Sequence, residues 1–230
     1  MSEKNLEKII GYEFAEKARL EEALTHRSYL NENPDWNRPH NERLEFLGDA
    51  VLELLVTESL YITYPEEAEG KLTSIRAALV NYQMLSDIAQ EIKLGDFVFL
   101  SRGEAKDTGR ARAVILANAM EALIGAVYLD GGMKAAKDFI ERLVMPRLEE
   151  VMEKQLYKDP KSLLQEITQE QHKITPRYEV TDELGPDHDK VFKVAVFVGE
   201  ERWGEGAGPS KQEAETAAAE KALTRARKEK

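Results

Sequence analysis

Apolar residues along this 230-residue chain recur mostly every three or four positions, the period of helices packed on a core. The pattern predicts helices over residues 3–10, 18–29, about 41–61, 71–80, 81–92, 114–129 and 134–153. Residues 31–40 hold Pro34 and Pro39 among turn formers and read as a loop. Pro65 ends the third helix, because proline disfavours helical geometry in the residue before it. Gly95 suits the C-terminal cap after the fifth, and Phe97–Leu100 is a short apolar run, strand or extended. Beyond about 154–160 the period changes. A helix over 161–171 is followed by strands near 177–183, 191–198 and 201–206, then by a helix over 210–226 capped by Ser210. The alanine-rich run of that last helix gives it a flat face able to lie close against a small sheet. The fold class is therefore α+β with two domains. An all-α domain spans 1–153, a linker 154–160, and a small α-β-β-β-α domain 161–230.

Composition changes little in that picture: 42% of residues are hydrophobic and 33% charged. No apolar run is expected to reach the roughly 20 residues of a membrane span, so no membrane partner is expected. There is no cysteine, which removes disulfides, thiolate metal sites and cysteine nucleophiles. The N-terminal residues lack a signal-peptide pattern, and a cytoplasmic location is the expectation. On its own, the net charge of −11 argues against a nucleic-acid binder, which usually shows a basic footprint.

Candidate chemistry lies in NERLEFLGDAVLELL, residues 41–55. Glu42, Glu45 and Asp49 stand at i, i+3 and i+7, which puts three carboxylates on one helix face. Leu44, Leu47, Val51, Leu54 and Leu55 are expected on the opposite face. Like charges one turn apart repel. Either the face is simply solvated, or a divalent cation rewards holding the acids together. Phe46 falls on the acidic side, away from the leucines. In the strongly apolar stretch 114–129 the polar residues are Asn118 and Glu121, one turn apart. A carboxylate inside such a helix calls for a partner, a metal or a proton-transfer role, and the acidic row offers the other half of a metal cage. His26 reads as a structural hydrogen-bonding group. The Gly- and Arg-rich segment 101–113 is either solvated or a phosphate contact.

Together, HNERLEFLGDAVLEL, ALTHRSY, EGKLTSIRAALV and LANAMEALIGAVYLDGG resemble the bacterial ribonuclease III family. DPKSLLQE, PRYEV, GPDHDKVFKVAV and GEGAGPSKQEAETAAAEKAL resemble its C-terminal double-stranded-RNA-binding domain. The resemblance covers almost the whole chain. It implies a homodimeric, Mg²⁺-dependent endonuclease, with Mn²⁺ as a substitute ion, that cuts both strands of double-stranded RNA. Products would carry 5′-phosphates and two-nucleotide 3′ overhangs. Substrates would be precursors of ribosomal RNA and structured messenger RNAs, with transfer RNA processing also in view. Carried over by residue, Glu45, Asp49, Asn118 and Glu121 match metal-binding positions, with Asp49 and Glu121 as the catalytic pair. Glu42 and Glu69 match accessory acids. Phe46 matches an aromatic that plugs a socket in the partner subunit. Ser162, Gln165, Glu166 and His188 match minor-groove contacts, and Lys211 and Gln212 match the segment that meets phosphates.

Two departures stand out. Many relatives have Asp where this chain has Asn118, so the site brings one charge fewer to a cation. Relatives carry two or three basic residues where this chain reads Lys211-Gln212-Glu213. Residues 159–230 hold 12 Lys and Arg against 15 Asp and Glu, so even this domain is not basic overall. The alternative reading is a non-catalytic double-stranded-RNA-binding protein on the same scaffold.

Overall fold

A computed structural model describes residues 3–186 and 190–226. The chain divides into two compact units, Met1–Tyr157 and Lys158–Lys230.

The first unit is helical: α1 (Glu3–Ile10), α2 (Lys17–Leu24), α3 (Arg27–Glu32), α4 (Glu42–Thr63), α5 (Glu69–Val80), α6 (Tyr82–Glu91), α7 (Arg110–Leu143) and α8 (Arg147–Glu153). The core is built where α4 meets α7. Leu44, Val51, Leu52, Leu55 and Val56 pack there with Leu116, Met120, Leu123, Ile124 and Val127. Leu20 and Leu24 of α2 and Leu85 and Ile88 of α6 close it.

Several boundaries differ from those the pattern predicts, each for a local reason. The expected helix over 18–29 is two. Thr25 and His26 are extended because their backbone bridges Phe99, with His26 N donating to Phe99 O at 3.1 Å. The apolar run at 97–100 is thus a single bridge and not a full strand. The His26 ring then caps α3, with Nδ1 accepting from Ser28 N at 3.3 Å. The left-handed residue that ends α6 is Lys93 (φ 55°), while Gly95 sits in a short 3-10 turn. α7 starts at Arg110, and Gly132 (φ 74°, ψ −173°) breaks it in the gap expected between 129 and 134. The expected helix over 134–153 is interrupted at 144–146, before α8 begins after Pro146. Leu54, expected on the core face of α4, is 55% exposed. One 18-residue window of α7 is long and apolar enough to cross a membrane by composition, contrary to expectation. It is 61% buried within the protein, so core packing accounts for its apolarity.

The second unit is α9 (Pro160–His172), β1 (Arg177–Leu184), β2 (Val191–Val198), β3 (Glu201–Gly208) and α10 (Lys211–Ala226). The strands form an antiparallel sheet in the order β1-β2-β3, with a register shift between Val180 and Asp182. Asp159 caps α9 by accepting from Ser162 N at 2.9 Å, and Ser210 caps α10 by accepting from Glu213 N at 3.2 Å. The fully buried alanines 214, 218, 219 and 222 lie against the sheet as expected. The strand side of that fit is Gly204 and Gly206. A Cβ on Gly206 would lie 2.3 Å from Ala214 O and Ala218 N.

Candidate functional site

Glu45 and Asp49 reach the site from α4, Asn118 and Glu121 from α7. Both helices carry a glycine at the crossing. A Cβ on Gly48 would lie 1.8 Å from the Glu121 carbonyl oxygen, and one on Gly125 2.3 Å from that of Leu44. Glycine inside a helix is destabilising unless the backbone must be approached closely, and here it is. The two helices are therefore in backbone contact beside the four polar residues.

The electrostatics show how tightly these groups are held. Burial, reinforced by the charges of Asp49 and Glu45, pushes the Glu121 carboxyl up to about 7. Burial also raises Glu45, with Glu42 and Asp49 adding to the rise. The Asn118 side chain beside it opposes the rise by favouring the charged carboxylate. The structure thus brings together the four residues that the sequence places on two separate helices. Among the described residues, however, no group of three acidic or histidine side chains is placed to hold a metal ion. Glu45, Asp49, Asn118 and Glu121 nonetheless carry hard oxygen donors of the kind Mg²⁺ takes, since that ion needs only one or two carboxylates while keeping waters and taking substrate phosphate oxygens.

The accessory acids are placed differently from each other. Glu42 is within 3.5 Å of Arg27 Nη1 and 3.8 Å of His40 Nδ1. Glu69 accepts from Thr73 Oγ1 at 3.0 Å and lines a recess of about 440 Å³ with Thr57, Leu60, Tyr61 and Leu72. Thr57 is eight residues from Asp49, about 12 Å along α4, so Glu69 stands apart from the acidic cluster of its own protomer. Phe46 is 82% exposed, with Tyr61 at 73% and Leu54 at 55% on the same side of α4. Their positions span about 80° of the helix wheel, an apolar stripe facing out.

The cationic segment 101–113 borders a cavity of about 950 Å³ lined by Tyr82, Lys93, Arg110 and Arg112. Arg112 Nη2 donates to Gly95 O at 3.1 Å, while its Nη1 is buried with no partner.

In the second unit, Ser162, Gln165 and Gln212 share one recess of about 380 Å³ between α9 and α10 with Lys161 and Tyr178. Glu166 is paired with Lys158, and Lys211 with Glu183. His188 lies outside the described residues. Sequence reasoning missed the two crossing glycines, although a glycine inside a helix was itself the signal.

The sequence matches the family described as ribonuclease-III-like over residues 16–148, and the double-stranded RNA binding motif over 160–225. It is 47% identical over 214 residues to ribonuclease 3 of Borreliella burgdorferi, covering 93% of this chain and 87% of that protein. It is 46% identical over 226 residues to ribonuclease 3 of Carboxydothermus hydrogenoformans, covering 98% and 96%. The nuclease domain of ribonuclease III from Campylobacter jejuni superposes with a TM-score of 0.57 at 42% identity, covering 63% of this chain and 97% of that one. With the acidic cluster in its helical unit and a three-stranded sheet backed by two helices after it, this chain belongs to the ribonuclease III family.

Proposed function

We propose that this ribonuclease is a Mg²⁺-dependent endonuclease that cuts both strands of double-stranded RNA as a homodimer, leaving 5′-phosphates and two-nucleotide 3′ overhangs. The observation that carries the reading is the meeting of Glu45 and Asp49 with Asn118 and Glu121 at the glycine crossing. Held by these oxygens, Mg²⁺ or Mn²⁺ would neutralise phosphate charge and lower the pKa of a bound water. The protein's own part is orientation and proton control. The Asn118 amide favours the charged form of the Glu45 carboxylate. Glu121, with Asp49 beside it, positions the attacking water.

Backbone phosphates have two sets of partners. One is the Lys93–Arg110–Arg112 cavity with its unpartnered guanidinium nitrogen. The other is the face of the second unit formed by Ser162, Gln165 and Gln212, with Lys211 at the N-terminus of α10. The exposed stripe of Phe46, Leu54 and Tyr61, beside a recess of matching apolar character, supports an isologous dimer in which each Phe46 enters the partner's recess. The nuclease domain of the C. jejuni protein likewise has a region involved in dimer formation. Processing of ribosomal, messenger and transfer RNA precursors in the cytoplasm is the role that fits such an activity.

Asn118 favours a second reading, a duplex-binding scaffold without catalysis, because its amide brings no charge to a cation. A defined RNA hairpin incubated with and without Mg²⁺, with product ends mapped, separates the two. Staggered cuts with 5′-phosphates only when Mg²⁺ is present support the enzyme. Binding without cleavage supports the scaffold.

A further inference from the structure

The two elements flanking the RNA face of the second unit meet on a single carboxylate. Glu183 stands near the end of β1. Its Oε2 is 3.0 Å from Lys190 Nζ and its Oε1 3.7 Å from Lys211 Nζ. Lys190 immediately precedes β2, and Lys211 is the first residue of α10. Both ammonium groups also sit over the same ring, Phe192, at 5.7 and 5.6 Å from its centroid. An anion is thus held by two lysines at the N-terminal end of a sixteen-residue helix. That is the set of partners a phosphate would seek: cations plus the positive end of a helix dipole.

We infer that Glu183 acts as an internal stand-in for an RNA phosphate, occupying Lys190 and Lys211 in the free protein and lowering the affinity for duplex. The inference rests on the RNA-binding reading of Lys211 given above. This chain has one lysine in Lys211-Gln212-Glu213 and engages that lysine internally. Duplex binding has to break or share these ion pairs. A surface pair of this kind does little for the fold, so its effect falls on binding. Removing the carboxylate takes this anion away from both lysines without touching the apolar core of the unit, where Val196, Val198, Ala218 and Ala222 pack.

The test uses the full-length protein without divalent cation, so that nothing is cut. The probe is a perfect RNA duplex of about 30 base pairs, longer than the roughly 16 that one such domain spans. Glu183→Gln should bind about threefold or more tightly, and its log–log salt slope should steepen by about one unit. Glu200→Gln, in the turn at the opposite end of the sheet, makes the same change in net charge and should gain less. In a Lys211→Ala background the gain from Glu183→Gln should shrink. Unchanged or weaker binding by Glu183→Gln overturns the inference, and so does an equal gain from Glu200→Gln. If the unaltered chain fails to bind duplex at all, the reading of the domain itself falls, and this inference with it.

Discussion

Gly48 on α4 faces the carbonyl oxygen of Glu121 on α7 so closely that a single added methyl carbon would lie 1.8 Å from it. The backbone contact between two helices and the position of Glu121 are therefore one feature. Gly48→Ala has to push α7 away and move Glu121 relative to Asp49. Overpacking of this kind costs about 1–3 kcal/mol of stability. A displacement near 1 Å lowers cleavage by about 100-fold. Gly70→Ala is the control, since a Cβ there meets nothing within 4 Å. Thermal unfolding and single-turnover cleavage of both variants check this, and a fully active Gly48→Ala contradicts it.

The raised pKa of Glu121 makes stability depend on pH in a definite direction. Its carboxyl moves from 4.5 to about 7 on folding. Between those values the folded protein holds a proton that the unfolded chain has released, so stability falls as pH rises through that window. The penalty is complete above it and is on the order of 2 kcal/mol after allowing for partial solvation. Glu121→Gln removes the charge. The metal-free variant should be more stable than the parent at about pH 8 and little changed at about pH 4, while losing cleavage. Melting curves in a chelator across that range read the effect. Equal destabilisation at both ends would show that Glu121 is not held under charge strain.

Asn118 plays two opposed parts. Its amide eases the repulsion around Glu45 but gives a cation no charge. Asn118→Asp should lower the Mg²⁺ concentration for half-maximal cleavage by about threefold or more, since a carboxylate is the stronger hard ligand. The gain should grow with pH, because the extra carboxylate raises the neighbouring acids, which must ionise to bind the metal. A magnesium titration showing no change, or a rise, refutes this.

Phe46 tests the dimer without disturbing the fold. With 82% of its surface exposed, the side chain contributes little to one protomer's core. Phe46→Ala should weaken self-association by at least about tenfold, as loss of a buried aromatic anchor does, while the circular dichroism and the melting transition of the monomer stay in place. Sedimentation equilibrium across a dilution series decides the matter. A dimer of unchanged strength would place the interface elsewhere.

The helical first unit and the α-β-β-β-α second unit were legible from residue periods alone, because burying an apolar face demands a fixed repeat. The acidic row Glu42, Glu45 and Asp49, and the isolated Glu121, were legible for a related reason, since charge where a helix should be apolar needs a compensating partner. What failed was local: Lys93 rather than Gly95 takes the left-handed cap, and Leu54 faces out. Neither choice is written in the period, since each depends on what packs alongside. Periodicity marks Glu45 and Glu121 as belonging to helix faces, yet it carries no distance between residues some seventy positions apart. That separation was decided by the α4/α7 crossing, where glycine at 48 and 125 lets two backbones touch and brings the carboxylates within range of one another's fields. The pairing of Glu183 with Lys190 and Lys211 was likewise invisible in sequence, because the meeting of a strand end with a distant helix start exists only once the sheet and α10 have packed.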